Sequence, residues 1–250
     1  MRLDSKTGYK EKKEQWMYHF IFDLDDTVYD QLKPFKQAFD KNFPNQTKFP
    51  VNKLYLLSRK FSDHVFKDTE NGKLTLGKMH RYRIMKAFEA LHHPITEQQA
   101  DQFQADYAAY QKQIVLTEDI KNTLNLCKEK EIPLGVVTNG PAVHQREKID
   151  QLGLKEWISE ETIFISSEVK LAKPDKRLFE HVQQTMRIDP SDTYYIGDSY
   201  SNDVVGAKKA GWKAIWNNPR HNSQPVTSIK PDYIIQGNQK LLQLVKQLIG

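Results

Sequence analysis

The sequence predicts an α/β fold: a doubly wound, mainly parallel sheet interrupted by an inserted all-helical segment. Three observations carry that prediction. From about residue 115 onward, short apolar runs alternate with segments of helical periodicity, which is the pattern of repeated β-α units. Between about residues 31 and 114 there is no strand-like run, and apolar residues recur at helical spacing. Upstream, Tyr18-His19-Phe20-Ile21-Phe22 is an aromatic and β-branched run with the composition of a buried central strand. The expected organisation is a polar extension at 1–15, a core made of 16–30 and 115–250, and a helical insertion at 31–114.

Taken in order, the strand at 18–23 comes first. Pro34 to Phe43, Lys53 to Phe66, Leu76 to Leu91 and Thr96 to Gln113 then predict four helices. The clearest has Leu54, Leu57, Phe61 and Val65 along one face. Pro44-Asn45, Asn71-Gly72 and His93-Pro94 break the pattern between them. Thr117 to Lys130 predicts a helix capped by Thr117, and Pro133 to Val137 a strand. Ala142 to Leu152 predicts a helix closed by Gly153, Thr162 to Ile165 a strand and Asp175 to Met186 a helix. Thr193 to Ile196 is the next strand, followed by a helix from Asp203 to Ala210 that Gly211 closes. Lys213 to Trp216 and Tyr233 to Ile235 are two further short strands, and Leu241 to Leu248 is the closing helix.

Composition narrows the function classes. The net charge is +5, but 37 Lys and Arg are interleaved with 32 Asp and Glu, so no basic arm points to nucleic acid and the balance suits a small anionic substrate. A single cysteine, Cys127, rules out an intrachain disulfide and reads as a small buried hydrophobe on a helix. No apolar run approaches ~18 residues, so no membrane span is expected. Met1 to Gln15 is charged and has no apolar centre, unlike a secretory signal. A cytoplasmic monomer or homodimer is expected.

The chemistry is concentrated where strands end. The first strand runs into Asp23-Leu24-Asp25-Asp26-Thr27. Carboxylates at the end of a buried strand repel one another and cost several kcal/mol each to desolvate unless a cation compensates. Asp23 and Asp25, at i and i+2, can face the same side, and closely held oxygen donors without Cys or His favour Mg²⁺. The second strand ends in Thr138-Asn139-Gly140, Lys173 precedes Pro174 and a helix, and another strand ends in Gly197-Asp198 with Asp203 five residues on. Singly, each has a plain structural reading: a cap for Asp26 and Thr27, a turn at 138–140, a solvated Lys173, a charged helix start at Asp198 and Asp203. In parallel sheets of this kind, however, ligands sit at the carboxyl ends of the strands, where all of these residues meet.

These four motifs, in this order, resemble those of the haloacid dehalogenase superfamily, and the helical insertion resembles the cap of its phosphatase branch. The resemblance implies Asp23 as a nucleophile that forms an aspartyl phosphate and Asp25 as the acid/base. Mg²⁺ would be held by Asp23, Asp198, Asp203 and the backbone carbonyl of Asp25. Thr138, the Asn139 N–H and Lys173 would hold the phosphoryl group, Lys173 also keeping Asp23 ionised. An Asp two residues after the nucleophile favours phosphoryl chemistry, because a halide leaving group needs no proton.

The substrate expected is a small phosphorylated metabolite. Asn71-Gly72-Lys73-Leu74-Thr75 with His80-Arg81-Tyr82-Arg83, and Ile165-Ser166-Ser167-Glu168-Val169, are similar to segments of bacterial house-cleaning pyrimidine 5′-nucleotidases, which implies a nucleoside 5′-monophosphate. Arg81 and Arg83 would meet polar groups, Tyr82 or Phe66 would stack on a base, and Tyr29 would line the cleft. A sugar-phosphate phosphatase or phosphomutase is the first alternative, and an inactive binding protein on the same fold the second. The insertion should hinge at about 28–31 and 114–117.

Overall fold

The computed structural model describes residues 18–250; the expected polar extension at 1–15 lies outside them. Six parallel strands form one sheet in the order β3-β2-β1-β4-β5-β6. They are β1 (His19–Phe22), β2 (Leu134–Thr138), β3 (Ile163–Ile165), β4 (Thr193–Gly197), β5 (Lys213–Asn217) and β6 (Tyr233–Ile235). β1 lies between β2 and β4, with Phe20 in register with both Leu134 and Tyr194. The chain winds outward from β1 in both directions, so a crevice opens at its carboxyl end.

Alternation along β1 assigns its faces. Phe20 and Phe22 pack with Ile120 and Leu124 of α6 (Glu118–Glu129), Ile149 of α7 (Ala142–Gln151) and Val245 of α11 (Leu241–Ile249). Ile21 points the other way, toward Leu178, Phe179 and Val182 of α9 (Lys176–Met186) and Ala207 of α10 (Val205–Lys209). Glycine at Gly135 of β2 lets the strands pack closely, since a Cβ there would lie 2.9 Å from the Ile21 side chain and 3.0 Å from the Thr162 carbonyl oxygen and both would have to shift.

The insertion contains α1 (Leu32–Asn42), α2 (Val51–His64), α3 (Phe66–Glu70), α4 (Leu76–Glu89) and α5 (Glu97–Gln111). Phe35, Phe39, Leu54, Phe88 and Phe103 give it a core of its own. The chain enters and leaves side by side, where the Thr117 N–H donates to the Val28 carbonyl at 3.1 Å.

Three local features depart from the sequence reading. The helix expected over 53–66 stops at His64, where the Val65 N–H bonds back to the Ser62 carbonyl, and this break starts α3 afresh with Phe66. The helix expected from Asp203 begins instead with a π-helical turn, Tyr200–Val204, in which the Val204 N–H reaches the Ser199 carbonyl. A short helix, α8 (Ser166–Val169), follows β3 directly. No helix among the described residues is long and apolar enough to cross a membrane.

Candidate active site

The carboxyl end of β1 carries Asp23, whose N–H donates to the Ile196 carbonyl of β4 at 2.8 Å. That bond fixes the side chain over the crevice. Lys173 arrives from the loop before α9, its backbone clamped by the Asn139 amide: Nδ2 donates to the Lys173 carbonyl and Oδ1 accepts its N–H. Its Nζ lies 2.6 Å from Asp23 Oδ1, 2.7 Å from Asp203 Oδ1 and 2.8 Å from the Tyr195 hydroxyl. Tyr195 donates in turn to the Val137 carbonyl. Asn139 is thus a clamp for Lys173 as well as the residue expected to offer its own N–H.

Oxygens of Asp23, Asp198 and Asp203 lie within 4.8 Å of one another. The wide turn at 200–204 bends Asp203 back, so that its Oδ2 accepts the Ser199 N–H. Gly197 makes room for it, because a Cβ there would sit 2.3 Å from Asp203 Oδ2. Lys173 is the ammonium that touches this trio, and Asp198 has no ion-pair partner within 4.0 Å among the described residues. Burial pushes the Asp23 carboxyl up to about 7 against the opposing pull of Lys173, and burial with the charges of Asp26 and Asp203 pushes Asp198 well above the usual carboxylate range. Buried oxygen donors with too little compensating charge fit a hard divalent cation. The side chain of Asp25 is not part of this trio.

Asp25 stands apart in a ring of donors. Lys148 Nζ donates to its two oxygens at 2.6 and 2.8 Å, Gln145 Nε2 to Oδ2 at 3.1 Å, and Gln31 Nε2 and the Tyr29 hydroxyl to Oδ1. Burial alone would raise its pKa, but Lys148 and Arg59 outweigh that and hold the carboxyl well below the usual range. Next to it, Asp26 accepts from Tyr55 of α2 and from Arg220 of the loop after β5, tying the insertion to the core.

One cavity of about 330 Å³ lies between the sheet edge and the insertion, and Tyr29, expected to line the cleft, is not among its lining residues. From the core come Asp23, Asp25, Thr138, Lys173 and Asp198; from the insertion, Arg59, Phe66, Met79, His80 and Arg83. Arg83 and Phe66 therefore lie where the sequence placed them. Arg81 and Tyr82 do not. Arg81 is turned outward, paired with Glu97 and Asp101, and Tyr82 packs edge-on against Phe61. His80 and His144 are driven down to about 3 and about 4, by burial first and then by the nearby cations, so both are neutral at pH 7.

Sequence reasoning missed Gln145, Lys148, Arg59 and Tyr195. A signal existed for the first pair: α7 buries Gln145, Lys148 and Ile149, three and four residues apart, so its inward face carries polar groups that need partners.

One prediction follows from the acids. Asp23 and Asp198 bind protons more tightly folded than unfolded, so the folded state carries the extra proton. Without a divalent cation, thermal stability is expected to fall as pH rises from about 4 through the Asp23 value of about 7. Asp25, shifted the other way, acts only below that window. A divalent cation held by these acids would take the place of the proton, so Mg²⁺ is expected to remove the slope. Melting curves at several pH values, with Mg²⁺ and with EDTA, check this; a metal-free stability that rises across the window would contradict it.

A family model for haloacid dehalogenase-like hydrolases matches residues 17–211. The chain is 31% identical over 113 residues to pyrimidine 5′-nucleotidase YjjG of Escherichia coli, covering 45% of this chain and 49% of that protein. It is 32% identical over 122 residues to pyrimidine 5′-nucleotidase PynA of Streptococcus pneumoniae (48% and 50%) and 29% identical over 136 residues to mouse N-acylneuraminate-9-phosphatase (54% and 54%). The matches thus span about half the length of these curated relatives. Among solved structures, the HAD-hydrolase YfnB of Bacillus subtilis, bound to magnesium, superposes with a TM-score of 0.68 at 22% identity, covering 93% of this chain and 98% of that one, a likeness of fold.

Proposed function

The chain belongs to the haloacid dehalogenase-like hydrolases, and from that premise we propose that it is a Mg²⁺-dependent phosphatase that hydrolyses a small phosphomonoester through an aspartyl phosphate on Asp23, with a nucleoside 5′-monophosphate as substrate. The observation that carries the reading is the separation of two carboxylates. Asp23 lies among acids beside Lys173, and Asp25 lies within its own ring of donors two residues away. That separation supports reading one as the group that forms a bond and the other as the group that moves a proton.

Asp23, Asp198 and Asp203 would hold the metal, with the Asp25 carbonyl as a further ligand. When bound, it neutralises charge on the nucleophile and the phosphoryl oxygens. A carboxylate oxygen of Asp23 attacks phosphorus as the bond to the leaving oxygen breaks, and that oxygen takes a proton from Asp25. A water then attacks the aspartyl phosphate, its proton returns to Asp25, and phosphate leaves with Asp23 restored. Lys148 and Arg59 hold Asp25 unprotonated in the arrangement described, the form the second step needs, so the proton it gives in the first step is one it would take up from the monoanionic phosphoester as that binds. Thr138 and the Asn139 N–H support the phosphoryl oxygens, and Lys173 supplies fixed positive charge. Closure of the insertion over the cavity would exclude water while the first bond breaks.

The nucleotide assignment draws on the pyrimidine 5′-nucleotidases among the relatives and on the make-up of the cavity. Phe66 and Met79 offer an apolar face for a base, and Arg59 and Arg83 offer donors for its oxygens. The Arg59 guanidinium makes no hydrogen bond or ion pair among the described residues, and it lines the cavity. Phosphate release from a panel of nucleoside monophosphates and sugar phosphates, with Mg²⁺ and with EDTA, tests the proposal. EDTA-sensitive release with nucleoside monophosphates preferred is expected. Preference for a sugar phosphate, or transfer of phosphate within the substrate, would move the assignment to the alternatives; no turnover of any ester would favour a binding role.

A further inference from the structure

Gln145 belongs to none of the four motifs, yet it is 1% exposed and touches three of the residues they supply. Its Nε2 lies 2.6 Å from Thr138 Oγ1, 3.1 Å from Asp25 Oδ2 and 3.3 Å from the Asn139 carbonyl oxygen. Its Oε1 accepts from Lys148 Nζ at 2.8 Å. The ammonium of Lys148 can only donate, so it fixes which end of the amide is oxygen and which is nitrogen. With Nε2 turned to Thr138, the threonine hydroxyl is an acceptor in that contact.

A hydroxyl has one hydrogen to donate. Thr138 is 1% exposed, lines the cavity, and donates to no acceptor among the described residues. Because its lone pair is engaged by Gln145, its hydrogen is free to point into the cavity. Gly140 keeps this geometry open, since a Cβ there would lie 3.2 Å from the Gln145 side chain. We propose that Gln145 is a positioning residue: it presets the Thr138 hydroxyl as a hydrogen-bond donor toward the phosphoryl group, with Lys148 holding the amide the right way round. This rests on the reading of Thr138 as a phosphoryl-binding residue. It adds that the donor is oriented before substrate arrives, which spares the reorganisation a free hydroxyl would need.

The test is a double-mutant cycle in the full chain with Mg²⁺, reading kcat/KM for p-nitrophenyl phosphate and the inhibition constant of inorganic phosphate. Gln145→Met keeps the length and removes the amide. It is expected to lower kcat/KM and weaken phosphate binding by about tenfold where Thr138 is present, and by less than about twofold in a Thr138→Val background. Equal factors in the two backgrounds would overturn the proposal, because a structural role of Gln145 does not depend on the Thr138 hydroxyl. Thr138→Val alone serves as the control. If it alters neither quantity, the phosphoryl-binding role of Thr138 has failed; if it alters both and the Gln145→Met factor persists, only the positioning role has failed. Should Gln145→Met not fold by circular dichroism, Gln145→Leu is read by the same criteria.

Discussion

Replacement of Asp23 by asparagine is expected to abolish phosphate release, with turnover down by at least about 10⁴-fold, because it removes the atom that would form the covalent bond in the proposed reaction. The same change should leave the fold intact or strengthen it. Asp23 is buried against Asp203 and Lys173, and its carboxyl is pushed up to about 7. A neutral amide keeps an oxygen for Lys173 Nζ, which lies 2.6 Å from Asp23 Oδ1, and relieves the repulsion. In EDTA at pH 8 the variant should therefore melt no lower than the parent. Phosphate release by the purified variant at more than a hundredth of the parental rate would remove Asp23 from the role of nucleophile.

The opposite pairing of effects is expected at Lys173. Its ammonium lies between Asp23 and Asp203, with 3% of its side chain exposed. Lys173→Met leaves these buried carboxylates without a counter-charge, and breaking a buried pair from one side costs about 3–5 kcal/mol. The melting temperature should fall by on the order of 10 °C in EDTA and by less in Mg²⁺, which supplies charge at the same place. Turnover should fall too, because in the proposed reaction Lys173 would supply positive charge to the transferring group. Calorimetry with and without Mg²⁺ checks this; an equal loss of stability in both conditions would show that Lys173 and the cation do not share a site.

What the sequence made legible follows from energetic cost. Buried strands that end in acid are expensive, so Asp23 and Asp198 stood out, and the alternation of strands and helices, which makes the sheet parallel, placed them and the Thr138-Asn139 turn at the carboxyl ends of its strands. Gln145 and Lys148 were hidden because helical spacing says that they share a face but not what that face meets. Only the crossover from β2 through α7 brings them to Asp25. Arg81 and Arg83 show the reverse case. Residues two apart on a helix lie about 200° apart around its axis, so α4 could turn only one of them to the cavity. Met79, His80 and Arg83 share the inward face, and Arg81 is left on the outer one. Arg59 escaped notice because it lies off the Leu54, Leu57 and Phe61 face that helical spacing marked, on the side a sequence reading leaves to solvent, and here that side lines the cavity. The wide turn at 200–204 had no local signal beyond Gly197, whose missing side chain admits Asp203.

The proposed reaction turns on a covalent bond between phosphorus and Asp23. The most direct measurement is a rapid-quench experiment with radiolabelled acetyl phosphate and Mg²⁺, followed by peptide mapping of the acid-quenched protein. The expected result is a transient label, released by hydroxylamine, on the peptide that contains Asp23 and absent from the Asp23→Asn protein. Phosphate release with no label on the protein at any time, or a label that survives the Asp23→Asn substitution, would contradict it.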